Sequence, residues 1–102
     1  MELYINTKDP KMVEVALKKD CQVVKKITDQ NEHGSEVLLP LIVKLLKTEK
    51  LDFKDLTGIE VETGPGSFTG LRVGAAVAQA LGFALKIPVN GKLNKAVTLR
   101  YT

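Results

Sequence analysis

A glycine-rich loop, a lone histidine and a lone cysteine are the residues of this chain with the greatest chemical potential. The loop, Gly64-Pro65-Gly66-Ser67-Phe68-Thr69-Gly70, lies between an expected strand and an expected helix. Backbone N–H groups at such a junction commonly bind anions. Gly64, Gly66, Ser67, Thr69 and Gly70 are therefore the candidate residues of an anion- or nucleotide-proximal loop. No Gly-Lys-Ser/Thr follows at Walker A spacing, and the dinucleotide fingerprint is absent too. Pro65 removes one donor and Phe68 brings bulk close to where a phosphate would sit. A structural turn with Ser67 or Thr69 capping the helix is the preferred reading over a phosphate cradle.

Metal and nucleophile chemistry have less to work with. One His and one Cys make neither a histidine pair nor a cysteine cluster. His33 falls in a polar stretch and is expected to be a solvated loop residue. Cys21 falls in an expected strand and is read as buried packing. Ser35 and Ser67 share a single imidazole candidate, and neither sits in a nucleophile elbow. Asp9, Asp29, Asp52 and Asp55 fall in expected turns, as caps or solvated charges. No catalytic residue, metal or cofactor is assigned, and the chain is read as not an enzyme.

The elements that position the loop follow from periodicity. Leu3 and Ile5 alternate with Tyr4 and Asn6 in a first strand over 2–7, and Asp9-Pro10 marks a turn. Val13, Val15 and Leu17 alternate in a second strand, and 21–27 returns as a third, giving an antiparallel meander. A helix is expected from Ser35, as N-cap, to Thr48, loosened at Pro40. A fourth strand over 58–62, a helix over 70–85 and a fifth strand at Ile87-Pro88-Val89 complete the order β-β-β-α-β-α-β. The right-handed crossover rule makes strands four and five parallel beside the meander. The expectation is an α/β domain with a mixed five-stranded sheet and helices packed on it, over 1–90. Residues 91–102 are a short tail or an extra edge strand.

Both helices carry more apolar surface than one sheet can cover. At about 100° per residue, Val37, Leu38, Leu41, Ile42, Leu45 and Leu46 with their neighbours spread over roughly two thirds of the first. The second has a stripe of Val73, Val77, Leu81 and Leu85 beside a stripe of Gly70, Gly74, Ala78 and Gly82. Residues that small at every fourth position let another backbone approach closely, although each helical glycine costs about 1 kcal/mol against alanine. Leu38, Ile42, Gly70, Gly74, Ala78 and Gly82 are accordingly the candidate partner-binding residues. On this reading Gly74→Leu abolishes assembly and leaves the monomer folded.

Composition bounds the rest. With 102 residues the chain has room for one small core. A net charge of +3, with lysines scattered along the chain, gives no basic stripe for direct nucleic-acid binding. No apolar run is read as a membrane span, and the N-terminus lacks a signal-peptide pattern. A cytoplasmic setting fits the unpaired cysteine.

Gly64-Pro-Gly-Ser-Phe-Thr-Gly-Leu-Arg-Val-Gly, continuing through Ala78 and Leu81-Gly82 to Ile87-Pro88-Val89, closely resembles the signature of the TsaB (YeaZ) family. Ser35-Glu36-Val37-Leu38-Leu39-Pro40-Leu41-Ile42 is similar to that family's first helix. The resemblance covers about residues 1–90 and implies one actin-like ATPase (ASKHA, ribonuclease H-like) lobe. It implies a non-catalytic scaffold that binds and activates TsaD, the threonylcarbamoyltransferase that makes N6-threonylcarbamoyladenosine (t6A) in tRNA. The ATPase TsaE would be a third component, tRNA an indirect partner, and a second copy of the chain an alternative occupant of the helix interface. A homodimeric nucleotide-binding or hydrolytic domain using Gly64–Gly70 is the alternative. The family's first strand usually ends Asp-Thr-Ser, whereas this one ends Asn6-Thr7-Lys8. The residue before Ser35 is commonly His and is Gly34 here. Most members carry a second lobe after the fifth strand, so a one-lobe form or a piece of a longer chain is expected.

Overall fold

A computed structural model describes residues 1–30, 34–93 and 95–100, the side chains of 34 and 35 excepted. The elements in chain order are β1 (Glu2–Asn6), β2 (Val13–Lys19), β3 (Gln22–Asp29), α1 (Gly34–Thr48), a 3₁₀ turn (Phe53–Asp55), β4 (Gly58–Val61) and α2 (Phe68–Leu85). The sheet order is β3-β2-β1-β4. β1 and β2 pair antiparallel, as do β2 and β3, while β1 and β4 run parallel. That parallel pair requires a crossover, which α1 supplies.

Alternation along the strands decides which face the helices cover. Leu3, Ile5, Val15, Leu17, Ile59 and Val61 join Leu38, Ile42 and Leu45 of α1 in one core. α1 packs against β2 and β3, and α2 against β4 and β1, with the two helices in contact side by side. Leu38, Ile42 and Leu45 are fully buried, each contributing about 1.5–3 kcal/mol relative to exposure. The other sheet face carries Tyr4, Glu14, Lys18, Glu60 and Glu62. Its ion pairs, Lys18 to Glu60 at 3.2 Å and Lys26 to Glu14 at 3.5 Å, are surface pairs of about 0–1 kcal/mol. α1 runs through Pro40, which has no N–H to give the carbonyl of Glu36 one turn earlier; both residues are exposed, so water can serve that carbonyl. Because α1 begins at Gly34, Ser35 lies inside the helix rather than before it. Its side chain, and the whole of His33, lie outside the described residues.

Three expectations are corrected. The sheet has four strands, not five: 87–89 contributes a single parallel bridge, Ile59 to Val89. Pro88 has no N–H to offer a ladder, and Asn90 turns to φ 49. The Asn90 side chain then replaces the missing strand. Its Oδ1 accepts from Val61 N at 2.8 Å and its Nδ2 donates to Val61 O at 3.1 Å. Cys21 is exposed and belongs to the β2–β3 turn. Asp20 and Cys21 both have positive φ (53 and 65), the paired left-handed conformations that join twisted antiparallel strands. Finally, Phe68–Leu85 is long and apolar enough to cross a membrane by length and composition. One face of this helix is nonetheless fitted to the sheet through Leu71, Gly74, Ala75, Ala78 and Gly82.

Residues 95–100 form no strand but fold back on the domain. Val97 N donates to Gln79 Oε1 at 3.1 Å, and Arg100 N donates to Thr63 O at 2.8 Å.

Candidate functional site

The glycine-rich loop leaves β4 through a cis Gly64-Pro65 bond, and Gly64 takes φ 111, a conformation that favours glycine. Three of the loop's N–H groups are engaged within the chain. Gly64 N donates to Glu62 Oε1 at 3.3 Å, Ser67 N to Lys8 O at 2.9 Å, and Gly70 N to Ser67 Oγ at 3.3 Å. Ser67 is thus the N-cap of α2. Thr69 is exposed on the first turn. Gly66 packs against β1's end, where a Cβ would come within 2.6 Å of Lys8 Cβ.

The charge at this junction is mixed. Glu62 lies beside the loop, 4.0 Å from Lys8 Nζ, and accepts at 3.5 Å from Tyr4 Oη. Burial and then the carboxylates of Glu62, Glu14 and Glu60 push the Tyr4 phenol up to about 12. At the Asn6-Thr7-Lys8 end of β1, Asn6 Oδ1 accepts from Lys8 N at 3.1 Å and Asn6 Nδ2 donates to Glu14 at 3.4 Å. Thr7, buried, donates through Oγ1 to Gly70 O at 2.5 Å. The strand end and the helix start are therefore tied together by side chain as well as backbone. Among the described residues no group of His, Cys, Asp and Glu could hold a metal ion.

The six residues expected at a partner interface face inward instead. Leu38, Ile42 and Ala78 are fully buried. A Cβ on Gly70 would collide with the backbone carbonyl of Thr7. On Gly74 it would collide with Thr7 Oγ1 and reach Val61 Cγ2 at 3.5 Å, and on Gly82 it would meet Val89 Cγ2 at 2.5 Å. The small-residue stripe lets α2 sit close on its own sheet. What α2 shows to solvent is the neighbouring stripe. Arg72, Ala76, Ala80, Phe83 and Ala84 are exposed there, with Val73 and Val77 half-buried. On α1, Leu39, 45% exposed, Pro40 and the half-buried Val43 also meet solvent. Phe83 is 77% exposed, and Arg72 stacks over Phe68 at 5.3 Å.

Sequence reasoning missed Thr7 and Asn90. A polar β-branched residue at a strand end, and Asn-Gly after a strand-like run, were the available signals. Neither says which element its side chain will reach.

Comparison with known proteins places this architecture. Residues 23–92 match the family described as "TsaD: tRNA N6-adenosine threonylcarbamoyltransferase". YeaZ from Pseudomonas aeruginosa superposes with a TM-score of 0.79 at 30% identity, over 86% of this chain and 42% of that one. The chain belongs to this family, on its TsaB (YeaZ) branch. The tRNA threonylcarbamoyladenosine biosynthesis protein TsaB of Buchnera aphidicola subsp. Schizaphis graminum is 42% identical over 62 residues, 61% of this chain and 29% of that protein. The tRNA N6-adenosine threonylcarbamoyltransferase of Nitrosospira multiformis is 50% identical over 54 residues, 53% of this chain and 16% of that protein. The chain thus spans less than half the length of these relatives. The YeaZ likeness carries the expectation of an α/β ASKHA-like lobe, with four strands in place of five.

Proposed function

We propose that this domain is a non-catalytic scaffold that binds and activates a TsaD-type subunit in N6-threonylcarbamoyladenosine modification of tRNA. The observation that carries the reading is the outward face of α2. An 18-residue helix buries only Leu71, Gly74, Ala75, Ala78 and Gly82, and leaves an apolar strip with a single charge, Arg72, open to water. A helix apolar nearly all round is normally covered nearly all round. A specific complex buries on the order of 800 Å² per partner, an area that two parallel helix faces can supply. Leu39, Pro40 and Val43 of α1 and Val73, Ala76, Val77, Ala80 and Phe83 of α2 are the docking residues. This moves the partner surface about a quarter-turn or more away from the glycine stripe, at roughly 100° per residue. The TsaD and TsaB names among the relatives support a TsaD-type partner. A TsaE-type ATPase joins as a third component, tRNA is reached through the partner, and a second copy of the chain competes for the same face.

The loop Gly64–Gly70 serves as a strut in this reading. The N–H groups of Gly64, Ser67 and Gly70, already bonded, and the adjacent Glu62 carboxylate work against a phosphate.

Ala76→Arg tests the proposal. The position is an exposed helix site, so folding stability should stay within about 0.5 kcal/mol of the parent. Loss of the complex with a TsaD-type subunit at unchanged thermal stability is the expected result. Undiminished binding removes this face from the account.

A further inference from the structure

Beyond the helix strip, the C-terminal half of α2 and the returning chain enclose a groove of about 460 Å³. Its floor and one wall are apolar, from Ala80, Phe83, Ile87 and Val89, and its other wall carries Lys92 and Lys95. Among the described residues no carboxylate lines it. The wall is held in place: Gln79 Oε1 accepts from Val97 N at 3.1 Å while Gln79 Nε2 donates to Ala75 O at 3.2 Å. A second closure, Val89 N to Lys92 O at 3.0 Å with its reciprocal bond of the same length, fixes the turn that aims Lys92.

We infer that this groove receives an acidic, apolar-tipped segment of the partner subunit, a large apolar side chain seated on Phe83 with a carboxylate beside it facing Lys92 and Lys95. The inference rests on the scaffold reading above and adds the chemistry by which the partner is chosen. Two observations specify the occupant. Ala80 and Phe83 belong to both the groove and the outward strip of α2, so whatever lies on the strip reaches the groove mouth. The rim charge is of one sign, and complementary charge across an interface sets association rate and rejects wrong partners. A nucleic acid fits less well. Among the described residues Phe83 is the only aromatic that lines the groove, whereas strand binding calls for successive stacking platforms along a cationic track. Because the groove is already formed, little ordering has to accompany docking.

The test uses the full chain and a TsaD-type subunit from the same organism, with affinity measured by calorimetry at low and high salt. The double charge reversal Lys92→Glu/Lys95→Glu is compared with Lys19→Glu/Lys25→Glu, which makes the same change in net charge on the far hairpin. The groove variant should bind about tenfold or more weakly and lose most of the salt dependence, with the control near wild type. Thermal melts of both variants should match the parent, since all four lysines are exposed. Equal affinity and salt slope for the groove variant, in a complex that still forms, overturn the groove inference and leave the scaffold reading standing. No complex with the parent chain overturns both. Retention of tRNA by the parent chain alone, lost in the groove variant, overturns the inference in favour of a nucleic-acid site.

Discussion

Gly74→Leu is the perturbation that separates the two faces of α2 most sharply. If the glycine stripe met a partner, this change would leave the monomer intact and destroy assembly. The structure predicts failure one step earlier. A Cβ at this position would collide with Thr7 Oγ1 and would sit at 3.5 Å from Val61 Cγ2 and 3.6 Å from Ile5 Cγ2. Thr7 cannot simply turn away, because Oγ1 donates to Gly70 O and the residue is 3% exposed. Giving up that bond costs about 1 kcal/mol. Forcing the remaining leucine atoms between α2 and the sheet adds about 1–3 kcal/mol of overpacking. Removing a helical glycine returns about 1 kcal/mol. The net is a loss of about 1–3 kcal/mol, and a domain of this size loses roughly 4–8 °C in Tm per kcal/mol. Thermal unfolding followed by circular dichroism should therefore show Tm lowered by roughly 4–24 °C, with the isolated chain already affected. A Gly74→Leu chain with the parent Tm that has lost only its partner would refute the packing described here and return the interface to the glycine stripe.

Other outcomes follow from single contacts. Asn90→Ala removes both bonds to the Val61 backbone and leaves alanine at φ 49; chemical denaturation should show a loss of about 2 kcal/mol or more. Ser67→Ala removes the α2 cap and should cost about 1 kcal/mol, recovered in large part by Ser67→Asp. The Tyr4 phenol, raised from 10.0 to about 12 chiefly by burial, keeps its proton longer in the folded chain than in the unfolded one. Its contribution to stability is complete below pH 10 and is lost as pH rises from 10 towards 12. A phenolate absorbance titration that differs from that of Tyr4→Phe by a midpoint near 10 would contradict this. Cys21, exposed in its turn, should react with a thiol reagent in the native chain at nearly the unfolded rate.

How far the sequence alone reached depended on whether a signal was local. β1, β2 and β4 were legible because Leu3/Ile5, Val13/Val15/Leu17 and Ile59/Val61 alternate cleanly, whereas the crossover rule bore on strands four and five and did not name the parallel pairing of β4 with β1. Cys21 was misplaced because nothing in its type announces a left-handed φ. The fifth strand failed at Pro88, a residue that signals an edge, and the Asn90 amide that takes its place acts across 29 residues. The orientation of α2 was the hardest to read. With small or apolar residues on nearly every side, its rotation about its own axis is set by what the sheet offers, Thr7, Val61 and Val89 against three glycines. The resemblance identified the family, but it could not say which stripe of the helix points outward. For the loop, sequence chemistry already favoured a structural turn. The bonds from Gly64, Ser67 and Gly70 to Glu62, Lys8 and Ser67 are what that turn consists of.

The central claim is that the open face of α1 and α2 exists to hold a TsaD-type subunit. Size-exclusion chromatography with light scattering tests it most directly, on the chain alone, on its mixture with that subunit from the same organism, and on the same mixture carrying Ala76→Arg. The account predicts a mixed complex of defined mass with the parent chain and separate peaks with the variant. Separate peaks for the parent chain, or a complex indifferent to Ala76→Arg, would contradict it.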